Sequence, residues 1–84
     1  MVKGKVIIKN PAGLHLRPAG NLSNLAATFT SSITMRRGSR TADAKSLLAI
    51  LGACVRSGDE LEFVCEGEDE EAALAAVIAL IRNL

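Results

Sequence analysis

An alternation of apolar and polar residues predicts four short strands. Along residues 2–9 the apolar side chains alternate with lysines, and along residues 60–66 they alternate with glutamates. The same period of two recurs over residues 33–36, and a Gly38-Ser39 turn joins that segment to a short strand over Arg40–Asp43. A period of two puts successive side chains on opposite faces of a sheet, so we expect each strand to be buried on one face.

Three further segments have the spacing of helices. Apolar residues recur every three or four positions over residues 16–29, and a short apolar run at 47–51 follows Ser46. A third helix is predicted over residues 70–82, where acidic residues at the start and an arginine at the end match the helix dipole. Gly20 costs the first helix on the order of 1 kcal/mol relative to alanine, and close packing is one reason to keep it.

The predicted order of elements is therefore β-α-β-β-α-β-α. Four strands and three helices in 84 residues indicate an α+β fold with helices on one face of a mostly antiparallel sheet. The chain has the length of one domain, and we expect residues 1–84 to form a single one.

The charge is divided along the chain. Residues 1–56 carry nine basic groups and one acidic group, whereas residues 57–84 carry eight acidic groups and one basic group. The formal net charge of +1 hides this division. A chain this polarised is expected to present unlike faces to its partners.

Composition excludes several classes of function. One histidine and two cysteines without metal spacing predict no metal and no cofactor, and Cys54 and Cys65 are expected to be small core residues of a reduced protein. Phe29 and Phe63 are the only aromatic residues, so no stacking platform for single-stranded nucleic acid is expected.

The apolar run Ala72–Ile81 is about half a membrane span. Together with the lack of a signal-peptide pattern, this predicts a cytoplasmic protein with no membrane segment.

The single histidine lies where the first strand ends and the first helix begins. His15 is expected at the N-cap, so the N–H groups of Leu16 and Arg17 have no helical acceptor and form an anion site. Arg17 adds a charged donor fork suited to phosphate oxygens, and Pro18 fixes the first turn without removing a useful donor. These features predict a phosphoryl acceptor, although a histidine at a helix start is more often a polar cap or a surface residue.

The segment Gly13-Leu14-His15-x-Arg17-Pro18-Ala19 resembles the phosphorylation-site signature of the HPr family, the histidine phosphocarriers of the bacterial phosphoenolpyruvate-dependent sugar phosphotransferase system. Ala44–Leu48 resembles the second signature of that family, and the likeness covers the whole chain. The resemblance implies an open-faced β-sandwich, in which three helices cover one face of a four-stranded antiparallel sheet. It also implies a monomeric, stoichiometric carrier rather than an enzyme.

The resemblance assigns roles to individual residues. His15 is expected to accept a phosphoryl group from Enzyme I at Nδ1 and to pass it to IIA components of sugar permeases. Arg17, the N–H of Leu16 and the turn at Pro18 are expected to stabilise the phosphate. Ser46 corresponds to the serine that HPr kinase/phosphorylase modifies, giving the corepressor of catabolite control protein A.

A docking surface for these partners is expected beside the histidine. We assign it to the docking leucines, which are Leu47, Leu48 and Leu51. Two positions depart from the family pattern: Leu16 stands where alanine or threonine is usual, and Ala12 replaces a common hydroxyl residue. The larger Leu16 bears on partner fit, and Ala12 removes one possible donor near the phosphate. Neither change alters His15 or Arg17.

Three alternatives stay open at this point. A paralogous carrier could serve a nitrogen-related or dihydroxyacetone phosphotransfer branch with the same chemistry. Ser46 is also a good N-cap, which needs no kinase to explain it. The arginines at 36, 37 and 40 could form a nucleic-acid-binding hairpin, although the net charge near zero argues against that interpretation.

Overall fold

The computed structural model describes all 84 residues, and its elements follow the predicted order. The strands are β1 (Val2–Ile7), β2 (Ser32–Arg37), β3 (Arg40–Asp43) and β4 (Glu60–Glu66). The helices are α1 (Leu16–Ala27), α2 (Leu47–Gly52) and α3 (Glu70–Arg82). The largest differences from the prediction are two residues: β1 ends at Ile7 and α1 at Ala27, each two residues early. Strand β2 is one residue longer at each end than predicted, and α2 ends one residue later.

The four strands form one antiparallel sheet in the order β1-β4-β2-β3. In the β1–β4 pair Val6 lies opposite Leu61, and in the β2–β4 pair Met35 lies opposite Phe63. These four side chains are all buried, so the register follows from the apolar alternation.

The helices cover one face of this sheet, which confirms the predicted open-faced sandwich. Helix α3 packs against β1, β4 and β2, while α1 lies against α2 and α3. Gly4 of β1 permits a close approach of α3, because a Cβ atom there would lie 2.6 Å from Cδ1 of Ile78. The core cluster contains 19 buried apolar residues drawn from strands, helices and loops.

The open face of the sheet brings the basic and acidic parts of the chain together. Lys5 Nζ lies 3.8 Å from Glu60 Oε1, and Arg36 Nη1 lies 3.5 Å from Glu62 Oε1. Cross-strand pairs of opposite charge favour one register over another, although exposed pairs contribute at most about 1 kcal/mol each. Part of the charge division is therefore satisfied within the sheet.

Asp69 ties the start of α3 to the loop between α1 and β2. Its carboxylate accepts 2.9 Å hydrogen bonds from the N–H groups of Thr30 and Ser31, and a short one from the Ser31 hydroxyl. These bonds favour the ionised form and lower the pKa of Asp69 to about 2. Gly67 lets the two segments approach, because a Cβ atom there would lie 2.7 Å from Cα of Ser31.

Two expectations about small residues are wrong in part. Cys65 is buried, as predicted, and its burial raises the pKa of the thiol, but Cys54 is exposed in the loop after α2. Close packing does not explain Gly20, since a Cβ atom there would have no neighbour within 4 Å.

None of the three helices has the length and apolar character that crossing a bilayer requires.

Candidate functional site

His15 is the N-cap of α1, as predicted, and its side chain is exposed. Its backbone is extended, with φ −84° and ψ −169°, and its carbonyl accepts the first helical hydrogen bond from Ala19 N–H at 2.9 Å. The imidazole makes no capping hydrogen bond to the helix. Both ring nitrogens are therefore available to a reaction partner.

The first turn of α1 presents unused hydrogen-bond donors beside that imidazole. The N–H groups of Leu16 and Arg17 have no acceptor within the chain, and the first turn contains no acidic residue. Pro18 has no N–H and is buried with Ala19, so these two residues anchor the turn in the core. The Arg17 side chain is exposed and takes part in no ion pair. The helix end therefore has the charge and the free donors that a phosphate needs.

The loop before the helix is held by its own backbone. A turn closes when Gly13 N–H donates to the Asn10 carbonyl at 2.9 Å, and the Asn10 side chain returns a 3.3 Å bond to the Gly13 carbonyl. Leu14 is buried, and its N–H donates to the Val55 carbonyl at 3.1 Å. Gly13 has φ +68°, a conformation that favours glycine. Ala12, one of the two departures from the family pattern, lies exposed in this turn.

Two arginines of the β2–β3 hairpin hold the end of α2, which lies just before the loop that contacts Leu14. Arg37 Nε donates to the Ala53 carbonyl and Arg40 Nη1 donates to the Gly52 carbonyl, each at 3.0 Å, at the end of α2. Val55, whose carbonyl accepts the hydrogen bond from Leu14 N–H, follows this end of α2 in the chain. Since Arg36 pairs with Glu62, all three hairpin arginines have partners within the chain. This engagement disfavours the nucleic-acid interpretation of the hairpin.

Ser46 is the N-cap of α2. Its Oγ accepts a hydrogen bond from Ala49 N–H at 3.2 Å, and the residue is half-buried. The hydroxyl therefore has a structural role, whatever modification it receives. Lys45, just before it, directs its ammonium to the Phe29 carbonyl at 2.8 Å.

The docking leucines differ in their exposure. Leu48 is 81% exposed, whereas Leu47 and Leu51 are half-buried against the core. Leu16, which the sequence prediction used mainly for its N–H, also exposes 65% of its surface. Helices α1 and α2 pack against each other, and each exposes one large apolar side chain, Leu16 on α1 and Leu48 on α2.

The site lies on an open surface rather than in a cavity. The three clefts of the molecule have volumes of about 400 to 510 Å³, and His15 lines none of them. No three histidine, cysteine or acidic side chains come together as a metal site would require. An exposed imidazole outside any pocket is better suited to meeting another protein than to enclosing a small substrate.

Two residues that sequence analysis did not connect with His15 lie next to the backbone support of Leu14. Cys54 and Arg56 flank Val55, the residue that holds Leu14, and both are exposed. Cys54 has φ +54°, which is uncommon for a residue other than glycine. The sequence carries no local signal for either residue, because about forty residues separate them from His15.

Comparison with known proteins agrees with this geometry. The family model described as "PTS HPr component phosphorylation site" matches residues 2–83. The phosphocarrier protein HPr of Treponema pallidum is 40% identical over 99% of this chain and 94% of its own length. The dihydroxyacetone kinase phosphoryl donor subunit DhaM of Providencia stuartii is 44% identical over 92% of this chain, which spans only 16% of that longer protein. The crystal structure of HPr-C-His from Thermoanaerobacter tengcongensis superimposes with a TM-score of 0.95 at 35% identity, covering 99% of this chain and 93% of that one. The chain belongs to the HPr family of phosphotransferase-system phosphocarriers.

Proposed function

We propose that the chain accepts a phosphoryl group on His15 from Enzyme I and passes it to IIA components of sugar permeases. The observation that carries this proposal is an exposed N-cap imidazole beside two N–H groups, those of Leu16 and Arg17, which have no acceptor within the chain. N–H donors left free at a helix end can bind the charged oxygens of a phosphoryl group when that group is transferred to His15.

The transfer proceeds in line between two histidines. The P–N bond to the donor histidine breaks as a P–N bond to a ring nitrogen of His15 forms, and the donor nitrogen recovers its lone pair. Water and cofactors take no part. Positioning and charge stabilisation are then the contribution of the protein, from Arg17 and the helix end. The chain acts as a stoichiometric carrier and is restored when the group leaves.

Purified Enzyme I and phosphoenolpyruvate test this function directly. Intact mass spectrometry should show one phosphoryl adduct that is lost in acid, and His15→Ala should abolish it. Arg17→Ala should slow its formation while leaving the fold intact. An unmodified wild-type chain, or an undiminished adduct on the His15→Ala variant, would refute the proposal.

The partners are expected to dock on the exposed apolar residues of α1 and α2 with basic groups around them. Leu16 and Leu48 are the large apolar side chains that these two helices expose, and Arg17 supplies positive charge for acidic partners. Charge complementarity acts mainly on the association rate, so rising salt should slow phosphorylation by Enzyme I. Leu48→Ser should raise the Enzyme I concentration needed for half-maximal rate, with Leu84→Ser as a control at another exposed apolar residue. Equal behaviour of the two variants would exclude Leu48 from docking.

A second function is favoured by the likeness to a dihydroxyacetone kinase subunit. The 44% identity to that phosphoryl donor subunit is at least as high as the identity to the HPr of Treponema pallidum. The phosphorylated chain can be offered in parallel to a sugar IIA component and to the remaining subunits of such a kinase. Faster loss of the phosphoryl group to the kinase would assign the chain to that branch. A nitrogen-related branch is tested in the same way with its own IIA protein.

Ser46 is proposed as a regulatory phosphorylation site for HPr kinase/phosphorylase, with catabolite control protein A as the partner of the modified form. A phosphate there would add about −1.5 to −2 charges at the start of α2, where the helix dipole tolerates them. The modification would therefore leave the fold intact and repel acidic partners. Incubation with the kinase and ATP should give an acid-stable adduct that Ser46→Ala lacks, and an adduct retained in that variant would refute the assignment.

A further inference from the structure

Residues 13–14 run alongside residues 55–56 in the loop after α2. Leu14 N–H donates to the Val55 carbonyl at 3.1 Å, and the position of a Cβ atom on Gly13 lies 3.0 Å from Cα of Arg56. Both inner side chains are buried, Leu14 with 4% and Val55 with 6% of its surface exposed. The residues that follow them, His15 and Arg56, are both exposed.

Arg56 packs against Gly13, which has no side chain and precedes His15 by two residues. Gly13 and His15 are two residues apart, at most about 7 Å along the chain. An extended arginine side chain spans a comparable length. A larger residue at position 13 is disfavoured, because its Cβ atom would lie 2.6 Å from the Val55 carbonyl oxygen.

The backbone of Arg56 is fixed while its guanidinium is free. Its N–H donates to Asp59 Oδ2 at 2.8 Å, its carbonyl accepts from Asp59 N–H at 3.0 Å, and Asp59 in turn pairs with Arg37 at 3.5 Å. The guanidinium of Arg56 makes no hydrogen bond or ion pair within the chain, whereas Arg36, Arg37 and Arg40 all do. The Arg56 guanidinium, held at the site by its fixed backbone and without a partner in the chain, is available to a ligand.

We propose that Arg56 is a second cation of the phosphoryl site, reaching the group on His15 from the loop after α2 while Arg17 serves it from α1. This inference rests on the proposed function, because it requires a phosphoryl group on His15. A planar guanidinium can donate two parallel hydrogen bonds to phosphate oxygens. Arg56 would therefore favour the doubly charged phosphohistidine over its protonated form.

The experiment uses phosphoramidate, which phosphorylates histidine without Enzyme I. The P–N bond of the reagent breaks as the bond from phosphorus to His15 forms, and ammonia leaves. Phosphorus NMR of the full-length phosphorylated chain then follows the second ionisation of the phosphoryl group against pH. Arg56→Gln should raise the proton affinity of that group roughly two- to fivefold, as expected for one partly screened cation. Arg56→Lys should restore part of the difference.

Lys3→Gln is the matched control, because Lys3 is exposed on β1 and also takes part in no ion pair. An unchanged proton affinity in Arg56→Gln, or an equal change in Lys3→Gln, would overturn the proposal. Circular dichroism establishes that each variant is folded, as expected for an exposed side chain without contacts. If phosphoramidate labels His15 but Enzyme I does not, the proposed function fails while the role of Arg56 is still decided by the titration.

Discussion

Gly13→Ala should destabilise the chain more than Gly38→Ala, although both glycines have left-handed backbone conformations. Their φ angles are +68° and +58°. Alanine in this region costs roughly 1–2 kcal/mol, and the lower entropy of its unfolded chain offsets about 0.4–1 kcal/mol. Gly38→Ala should therefore cost about 1 kcal/mol, since a Cβ atom there would have no neighbour within 4 Å.

At Gly13 a steric cost is added to the conformational one. A Cβ atom would lie 2.6 Å from the Val55 carbonyl oxygen and 3.0 Å from Cα of Arg56, and both neighbours are backbone atoms that cannot rotate away. If the loops separate, the 3.1 Å bond from Leu14 N–H to Val55 is lost, at about 0.5–1.5 kcal/mol. Separation of the loops would also expose part of the Leu14 side chain, whose full burial contributes about 1.5–3 kcal/mol. Gly13→Ala should therefore lower the free energy of unfolding by about 1–3 kcal/mol more than Gly38→Ala does.

Urea unfolding followed by circular dichroism measures both variants under the same conditions. The free energy of unfolding should fall further for Gly13→Ala, and phosphorylation of His15 by Enzyme I should slow only in that variant. Equal destabilisation of the two variants would show that the loop accommodates a methyl group. The close backbone contact would then not be what holds the histidine in place.

Three further predictions concern stability. Gly20→Ala should raise the free energy of unfolding by up to about 1 kcal/mol, because Gly20 lies within α1 and has open space around it. Ser46→Ala should lower it by about 0.5–2 kcal/mol through loss of the cap to Ala49, whereas Ser46→Asp should keep the cap and the stability. The lowered pKa of Asp69 predicts stability that is fully present above about pH 4 and is lost as the pH falls toward 2. Asp69→Asn should flatten urea midpoints over that range, and an unchanged slope would contradict the hydrogen-bonded clamp on Ser31.

The local support of the histidine comes from distant parts of the chain. The hairpin arginines hold the end of α2, the loop after α2 holds Leu14, and Leu14 places His15 at the helix start. A change in Arg37 can therefore reach the site without touching it. This arrangement gives the basic residues of the hairpin a structural role within the chain.

The sequence alone determined the elements, and it singled out His15 as the proposed phosphoryl acceptor. Period-two and helical patterns reflect burial on one face, so they located all seven elements to within two residues. Cap and anion-site chemistry depend on neighbours in sequence, which is why the roles of His15, Arg17 and Ser46 could be argued before the structure. The α+β fold followed because so few elements in 84 residues leave few ways to build one core.

Only the tertiary structure decided which side chains share the surface of the site. Helical spacing could not separate exposed Leu48 from half-buried Leu47 and Leu51, because the exposure of a six-residue helix depends on what packs against it. It likewise could not place Cys54 on the surface. Nor could it place Arg56 beside Gly13, since that contact accompanies a long-range hydrogen bond between two loops. Periodicity records which face of an element is buried, whereas contacts between loops depend on how the whole chain closes.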